Sequence, residues 1–547
     1  MQKEVRYLIA IGIVIAELIF VDLESLQPIL GGLNGILTLS ILVFLDGVFF
    51  PLILDSLIPS ILFSLSIVSL FTMIDGPADP LIFLEYLSGI GITTAFLYLT
   101  RSLWDTTLMS LRRMRRRPDT KIFIFSVLLG IAVFALTRSP FLIIGVIIDG
   151  VVLSFLGRTE LSLLSSLSWI SLPYLLMMEP REEVNGICIG EVEKVLVRSL
   201  TPGLFQAGYR YKWISKRKSF CIDFSRTKNY NIVIVGSSGY GKSTLAKLIL
   251  SKTDVDYVIF DIHDEYRDVP GKNVDMSLNG INPLSLFGRS PKQRSIEIAM
   301  TLKSIFNLGS IQTMDLSNLF VEAYQEKGIY DEDERTWTLD PPTIRDVLLL
   351  LEKKKRASMS SQDLNRWGSI EPYLRFLDSN IFYGSEDLWK LLQGRVILDF
   401  SRITTANIKY ILMETVLASI LGSMYLEKSS SLRKLVVIDE APFLLGRESG
   451  EALTERLFAE GRKFGYGFVL ISQYSDKLEK MINNASTTMV MGMNDPDELN
   501  YIARLIGGES QEARRIIYET LSGLERGKVI TRDITANDIV VVRLNQG

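Results

Sequence analysis

Hydrophobic positions divide the chain in two. Apolar runs succeed one another at about 7–22, 28–45, 48–74, 82–104, 122–137, 140–156 and 161–178, with only short polar stretches between them. A helix needs about 20 apolar residues to cross the hydrocarbon, fewer where the bilayer thins or flanking side chains snorkel. Seven runs in succession predict a polytopic α-helical membrane domain over 1–179. The pattern continues too far for a cleaved signal peptide. Lys3, Arg6 and the basic group Arg112, Arg113, Arg115, Arg116, Arg117 and Lys121 mark cytoplasmic sides. Parity with a cytoplasmic C-terminal part leaves about six spans, with the Ser-rich run 161–178 as the candidate for a helix lying in the interface.

After Glu183 the period shortens to strands and turns. Segments 187–197, 209–214 and 219–223 read as a small β subdomain within 180–230. Further strands are expected at 231–235, 257–261, 396–400, 434–440, 468–472 and 488–492. Between 286 and 395 the pattern is helical, with amphipathic stretches at 348–356 and 367–377 and a break at Pro341 and Pro342. This divides the soluble part into 231–285, an all-α insert over 286–395, and 396–547.

Strand 231–235 runs into Gly236, Ser237, Ser238, Gly239, Tyr240, Gly241, Lys242, Ser243 and Thr244, and a helix follows. Glycines let successive backbone N–H groups surround a polyphosphate, and the helix start adds a favourable partial charge. This GxxxxGK[ST] loop predicts ATP as ligand, with Lys242 reaching the β/γ-phosphates and Ser243 on Mg²⁺. Strand 434–440 ends in Asp439 and Glu440. Asp439 suits the Walker B role of holding Mg²⁺, and Glu440 suits the base that orients attacking water. Gln473, at the end of strand 468–472, is placed to sense the γ-phosphate.

Composition narrows the chemistry. One His among 547 residues excludes a His-rich metal centre, and Cys188 and Cys221 are too few for a disulfide framework, which fits a reduced compartment. Lys and Arg total 59 against 62 Asp and Glu, so the net charge of −3 gives no global signature of nucleic-acid binding. Local basic groups remain: 353–356 could touch phosphates or be a solvated charge run, and 209–218 mixes aromatic with basic residues as a β-hairpin near a membrane surface.

Several segments resemble the HerA/FtsK superfamily and, within it, the ATPases of conjugation and type IV secretion. Asp261, His263, Asp264, Glu265 and Tyr266 follow that group's Asp-x-His-Gly-Glu-Tyr, with Asp264 in place of Gly. Ile281 to Leu284 is similar to its Asn-Pro-Leu element, and Gly461, Arg462 and Lys463 to its Gly-Arg-Lys segment. The resemblance spans about 186–547. It implies a RecA-like additional-strand P-loop ATPase of the α/β class with an inserted all-α subdomain, preceded here by the polytopic membrane domain. It further implies a homohexameric ring acting on DNA with little sequence preference, with Arg462 reaching a neighbour's nucleotide. Among its members the chain is most similar to the membrane-anchored motor of the archaeal DNA-import system, which works beside a separate channel-forming membrane protein. A secretion or pilus-type ATPase with protein cargo is the alternative. An ABC-type exporter fits less well, because the signature-like segment 521–525 follows Asp439 instead of preceding it. Intact Lys242, Ser243, Asp439 and Glu440 argue against a non-hydrolysing scaffold.

Overall fold

The computed structural model describes residues 119–137, 140–156, 159–170, 186–201, 208–384, 388–426, 429–475, 478–532 and 538–545, with isolated positions between 8 and 50 and Leu175. The runs expected at 7–22, 28–45, 48–74 and 82–104, and the basic residues 112–117, lie outside the described residues apart from those isolated positions. The chain folds as two compact units, Met1–Val184 with Leu196–Ile214, and Asn185–Val195 with Ser215–Gly547.

In the first unit, helices α1 (Thr120–Thr137) and α2 (Pro140–Leu156) are followed by a 3₁₀ helix, Thr159–Ile170. The helix pair packs through small residues. Gly130 of α1 lies against Ile143 and Val146, and Gly150 of α2 lies against Ser126. Ile122, Leu153, Leu156 and Leu175 form its core, with Leu161 and Leu164 against them. Ile124, Leu128, Ile131 and Leu136 remain exposed, so the outward face of α1 is apolar as well.

The second unit is built on a sheet of eleven described strands. In chain order these are β1 (Ile187–Thr201), β2 (Gly208–Ile222), β3 (Ile232–Val235), β4 (Asp256–Asp261), β5 (Lys272–Asp275) and β6 (Arg395–Asp399). They continue with β7 (Ser429–Ile438), β8 (Phe464–Ser472), β9 (Thr487–Val490), β10 (Lys528–Arg532) and β11 (Ile539–Leu544). Their spatial order is β2-β1-β11-β10-β9-β3-β8-β7-β4-β6-β5. Strands from β9 to β5 pair in parallel, while β10 pairs antiparallel with β9 and β11. The parallel strands are covered on both faces, which is why β3 is four consecutive buried aliphatic residues. Strand β8 lies between β3 and β7, which is the additional-strand topology the resemblance implied.

Three features depart from the sequence reading. Segment 209–214 and residues 219–222 are parts of one strand, β2. The β1–β2 hairpin extends the edge of the main sheet. Cys188 and Cys221 are joined by a disulfide, with their Cα atoms 3.9 Å apart, because the hairpin sets them opposite each other on neighbouring strands. Their separation of 33 residues in sequence carries no sign of this.

Helix α3 (Lys242–Ser251) follows the phosphate loop. The insert holds α4 (Pro291–Phe306), α5 (Ser310–Glu326), α6 (Ile344–Ala357) and α7 (Ser361–Phe376). Local sequence sets their starts. Ser290 caps α4 ahead of Pro291, Thr343 and Asp346 form a reciprocal capping box on α6, and Ser360 caps α7. The Asn-Pro-Leu element ties the insert down. Asn282 donates to the Pro342 carbonyl at 3.0 Å, Arg294 donates to the Pro283 carbonyl, and the Tyr324 hydroxyl donates to that of Leu284. The basic run on α6 is internally matched, since Lys353, Lys354 and Lys355 pair with Glu326, Glu322 and Glu371. These pairs favour the solvated-charge reading of 353–356 over phosphate contact.

Helix α8 (Ala406–Leu426) connects β6 to β7. Among the described residues it alone is long and apolar enough to cross a membrane, yet 78% of its apolar window is buried. It serves as a core helix. Glu414 lies inside it and accepts a hydrogen bond from Thr301 of α4 at 2.7 Å. Burial pushes its carboxyl up to about 7. A carboxyl raised on folding keeps its full contribution below its unfolded value and loses it as pH rises through the folded one. Stability to denaturant should therefore fall by on the order of 2 kcal/mol between pH 5 and 8, and Glu414→Gln should flatten that slope in parallel titrations.

Candidate nucleotide-binding site

Neighbouring parallel strands deliver the candidate residues to one edge of the sheet. The loop after β3 begins with two hydrogen bonds to its flanking strands: Gly236 N–H donates to the Ser472 carbonyl at 3.2 Å, and Ser237 N–H to that of Gly492 at 3.0 Å. Gly239 and Gly241 have φ of 83° and 96°, a region that favours residues without Cβ. Gly241 then caps α3, which leaves the first N–H groups of the helix without intrahelical partners. Lys242 is buried and donates from Nζ to the Ser237 carbonyl at 3.2 Å. Burial lowers its affinity for the proton, opposed by the charges of Glu440, Asp439 and Glu265.

Asp439 and Glu440 follow β7 directly. Oδ1 of Asp439 accepts the Glu440 N–H at 3.0 Å, while Oδ2 lies 3.5 Å from the Ser243 hydroxyl. Burial pushes the Asp439 carboxyl up to about 6. A hydroxyl and a carboxylate facing each other fit Mg²⁺, which takes oxygen ligands and keeps much of its water. No group of three or more His, Cys, Asp or Glu that could hold a metal occurs among the described residues, so a cation here depends on this pair and on phosphate oxygens. Glu440 adopts φ 55°, a left-handed conformation costing about 1–2 kcal/mol for a residue with a Cβ. Such local strain clusters at functional sites. Gln473 donates from Nε2 to Oε1 of Glu440 at 2.7 Å, so the predicted phosphate sensor here orients the carboxylate expected to act as base.

Arg462 lies elsewhere. It sits in the turn before β8 and donates to the Lys228 carbonyl, also ahead of its strand. The length of β8, from Phe464 to Ser472, separates it from Gln473 by about 25 Å. It is exposed, and the fold does not bring it to the loop of its own subunit.

The Asp261 motif is mainly architectural. Its buried carboxylate accepts the N–H groups of His263, Glu265 and Tyr266, bending the chain after β4. Asp264 has φ 61°, which accounts for the resemblance pattern having Gly there; Asp is among the few residues tolerated in that conformation. His263 is exposed. Sequence reasoning missed two residues. Asn494 accepts the Tyr240 hydroxyl at 3.1 Å and donates its N–H to the Ser237 hydroxyl at 3.2 Å. Gly492 leaves room for the Tyr240 ring, which a Cβ would meet at 2.1 Å.

A RecA-like P-loop domain with β8 inserted between the loop strand and the Walker B strand is what this topology and site define. Comparisons with known proteins make the class narrower. Residues 214–420 match the family model described as Helicase HerA, central domain. The chain is 26% identical over 330 residues to the DNA double-strand break repair helicase HerA of Sulfurisphaera tokodaii and 24% identical over 320 residues to that of Sulfolobus acidocaldarius. Each alignment covers 55% of this chain and 61% of the relative, so the chain spans less than two thirds of these relatives' length. The structure of VirB4 of Thermoanaerobacter pseudethanolicus superposes with a TM-score of 0.54 at 15% identity, covering 67% of this chain and 98% of that one, which shows a shared fold. Residues 214–420 thus resemble a HerA central domain within a P-loop ATPase fold.

Gly492→Ala should displace Tyr240 and with it the loop. Nucleotide affinity is expected to drop about tenfold or more while circular dichroism stays native, since misplacement near 1 Å is enough for losses of this size; titration with a fluorescent nucleotide checks this.

Proposed function

We propose that this protein is a membrane-anchored ring ATPase that uses ATP hydrolysis to move DNA across the cell membrane. The observation that carries the reading is the convergence of the 236–244 loop, Asp439, Glu440 and Gln473 at the ends of β3, β7 and β8. The HerA relatives, named as DNA helicases, favour DNA as the cargo. The apolar runs of 1–179 and the apolar outward face of α1 favour a multi-pass anchor, with the ATPase unit cytoplasmic.

In this mechanism the loop amides and Lys242 bind the triphosphate, and Lys242 exchanges the Ser237 carbonyl for phosphate oxygens. Ser243 and Asp439 hold Mg²⁺, which when bound neutralises charge developing on the phosphates. Glu440, held by Gln473, takes the proton of the attacking water through its carboxylate. Arg462, about 25 Å from its own Gln473, serves a neighbouring subunit, where its guanidinium stabilises the γ-phosphoryl group during transfer. A ring of identical subunits, a homohexamer on the resemblance, supplies such a neighbour at every site. Its DNA grip is made to the phosphates and is therefore salt-sensitive and largely independent of sequence. A separate channel-forming membrane protein completes the DNA-import reading.

The test is ATP hydrolysis by the full chain in detergent or nanodiscs, with and without DNA and with unfolded protein as the competing cargo. Stimulation by DNA alone is expected; stimulation by unfolded protein alone would favour the secretion reading. Lys242→Ala should weaken nucleotide binding. Glu440→Gln should keep binding and lower turnover by about 10²–10⁴, and Arg462→Ala should keep binding and lower turnover by about 10³. Wild-type turnover by the Arg462 variant would remove it from the site.

A further inference from the structure

Tyr266 closes the motif after β4 and is fully buried. Its backbone N–H is fixed to Oδ2 of Asp261 at 2.9 Å, and the Lys247 ammonium lies 5.8 Å from the ring centre. Among the described residues its hydroxyl has no hydrogen-bond partner at normal distance. The groups it faces are the Asp439 carboxylate and the Ser243 hydroxyl, the same two that fit Mg²⁺. A buried hydroxyl left unpaired costs about 1–3 kcal/mol. A fold that fixes the backbone so firmly yet leaves the hydroxyl idle beside a metal-ligand pair points to a hydrogen bond that closes when the ligand binds.

We propose that Tyr266 is a positioning residue for the magnesium site: once nucleotide and cation are bound, its hydroxyl donates to Asp439 and holds that carboxylate in the orientation that takes the cation. The inference rests on the nucleotide reading above and adds a component to it. Outer hydrogen bonds of this kind change metal affinity by about 10–100-fold when removed. Asp261 contributes indirectly, by fixing the turn that delivers the ring.

The test uses the full chain in detergent, wild type and Tyr266→Phe. Binding of a fluorescent ADP analogue is titrated with MgCl₂, and thermal unfolding is followed with no metal or nucleotide. Tyr266→Phe should leave metal-free nucleotide affinity unchanged and raise the Mg²⁺ midpoint about tenfold. Its metal-free melting temperature should match or exceed wild type, because an idle buried hydroxyl is gone. An unchanged Mg²⁺ midpoint overturns the proposal, as does a marked fall in metal-free stability, which would show a purely structural role. Wild-type protein that binds no nucleotide overturns the nucleotide reading itself and this inference with it; wild-type binding with an unshifted variant overturns the inference alone.

Discussion

The parallel register of β3, β8 and β7 is the constraint on which the rest of the site depends. The three strands are neighbours and run the same way, so whatever follows each of them emerges on the same edge of the sheet. Hydrogen bonds lock those ends together: Gly236 N–H to the Ser472 carbonyl, and Ala441 N–H to that of Ile471 at 2.8 Å. The phosphate loop, the paired carboxylates and the Gln473 amide are therefore assembled by backbone pairing before any side chain chooses a rotamer. This is the preorganisation that charge-stabilising sites need, because the donors do not have to reorganise as charge develops.

The same register separates as firmly as it gathers. A residue ahead of β8 is held a full strand length from the site, and Arg462 is such a residue. The converging edge, by contrast, carries the left-handed Glu440, the buried Lys242 and the raised carboxyl of Asp439. Farther along the sheet, the carboxylate of Asp261 shapes the turn after β4, and the Asn-Pro-Leu carbonyls anchor the all-α insert. The motifs around the site thus hold elements in place for the few groups positioned to act.

Much of this was legible in the sequence because it is local. The loop, its strand and its helix are contiguous, the caps at Ser290, Thr343 and Ser360 sit beside the helices they start, and the aliphatic runs of β3, β4 and β7 have the composition of strands buried on both faces. What escaped reading depends on residues that meet only after folding. Gln473 and Glu440 are 33 positions apart, Tyr240 and Asn494 are 254 apart, and the Cys188–Cys221 disulfide exists because a hairpin brings its strands together. The basic run 353–356 looked available for phosphate, and its carboxylate partners on two other helices became visible only in three dimensions.

Completion of each site across a subunit seam, as proposed above, is measured directly by complementation. Lys242→Ala and Arg462→Ala subunits are prepared separately, and ATP turnover is recorded for each alone and after mixing. Random assembly into a closed ring gives about a quarter of the seams an intact loop facing an intact arginine. Activity that appears on mixing and peaks near equal proportions is the predicted result. Mixtures no more active than their inactive components, at every ratio and with exchange of subunits verified, would contradict it.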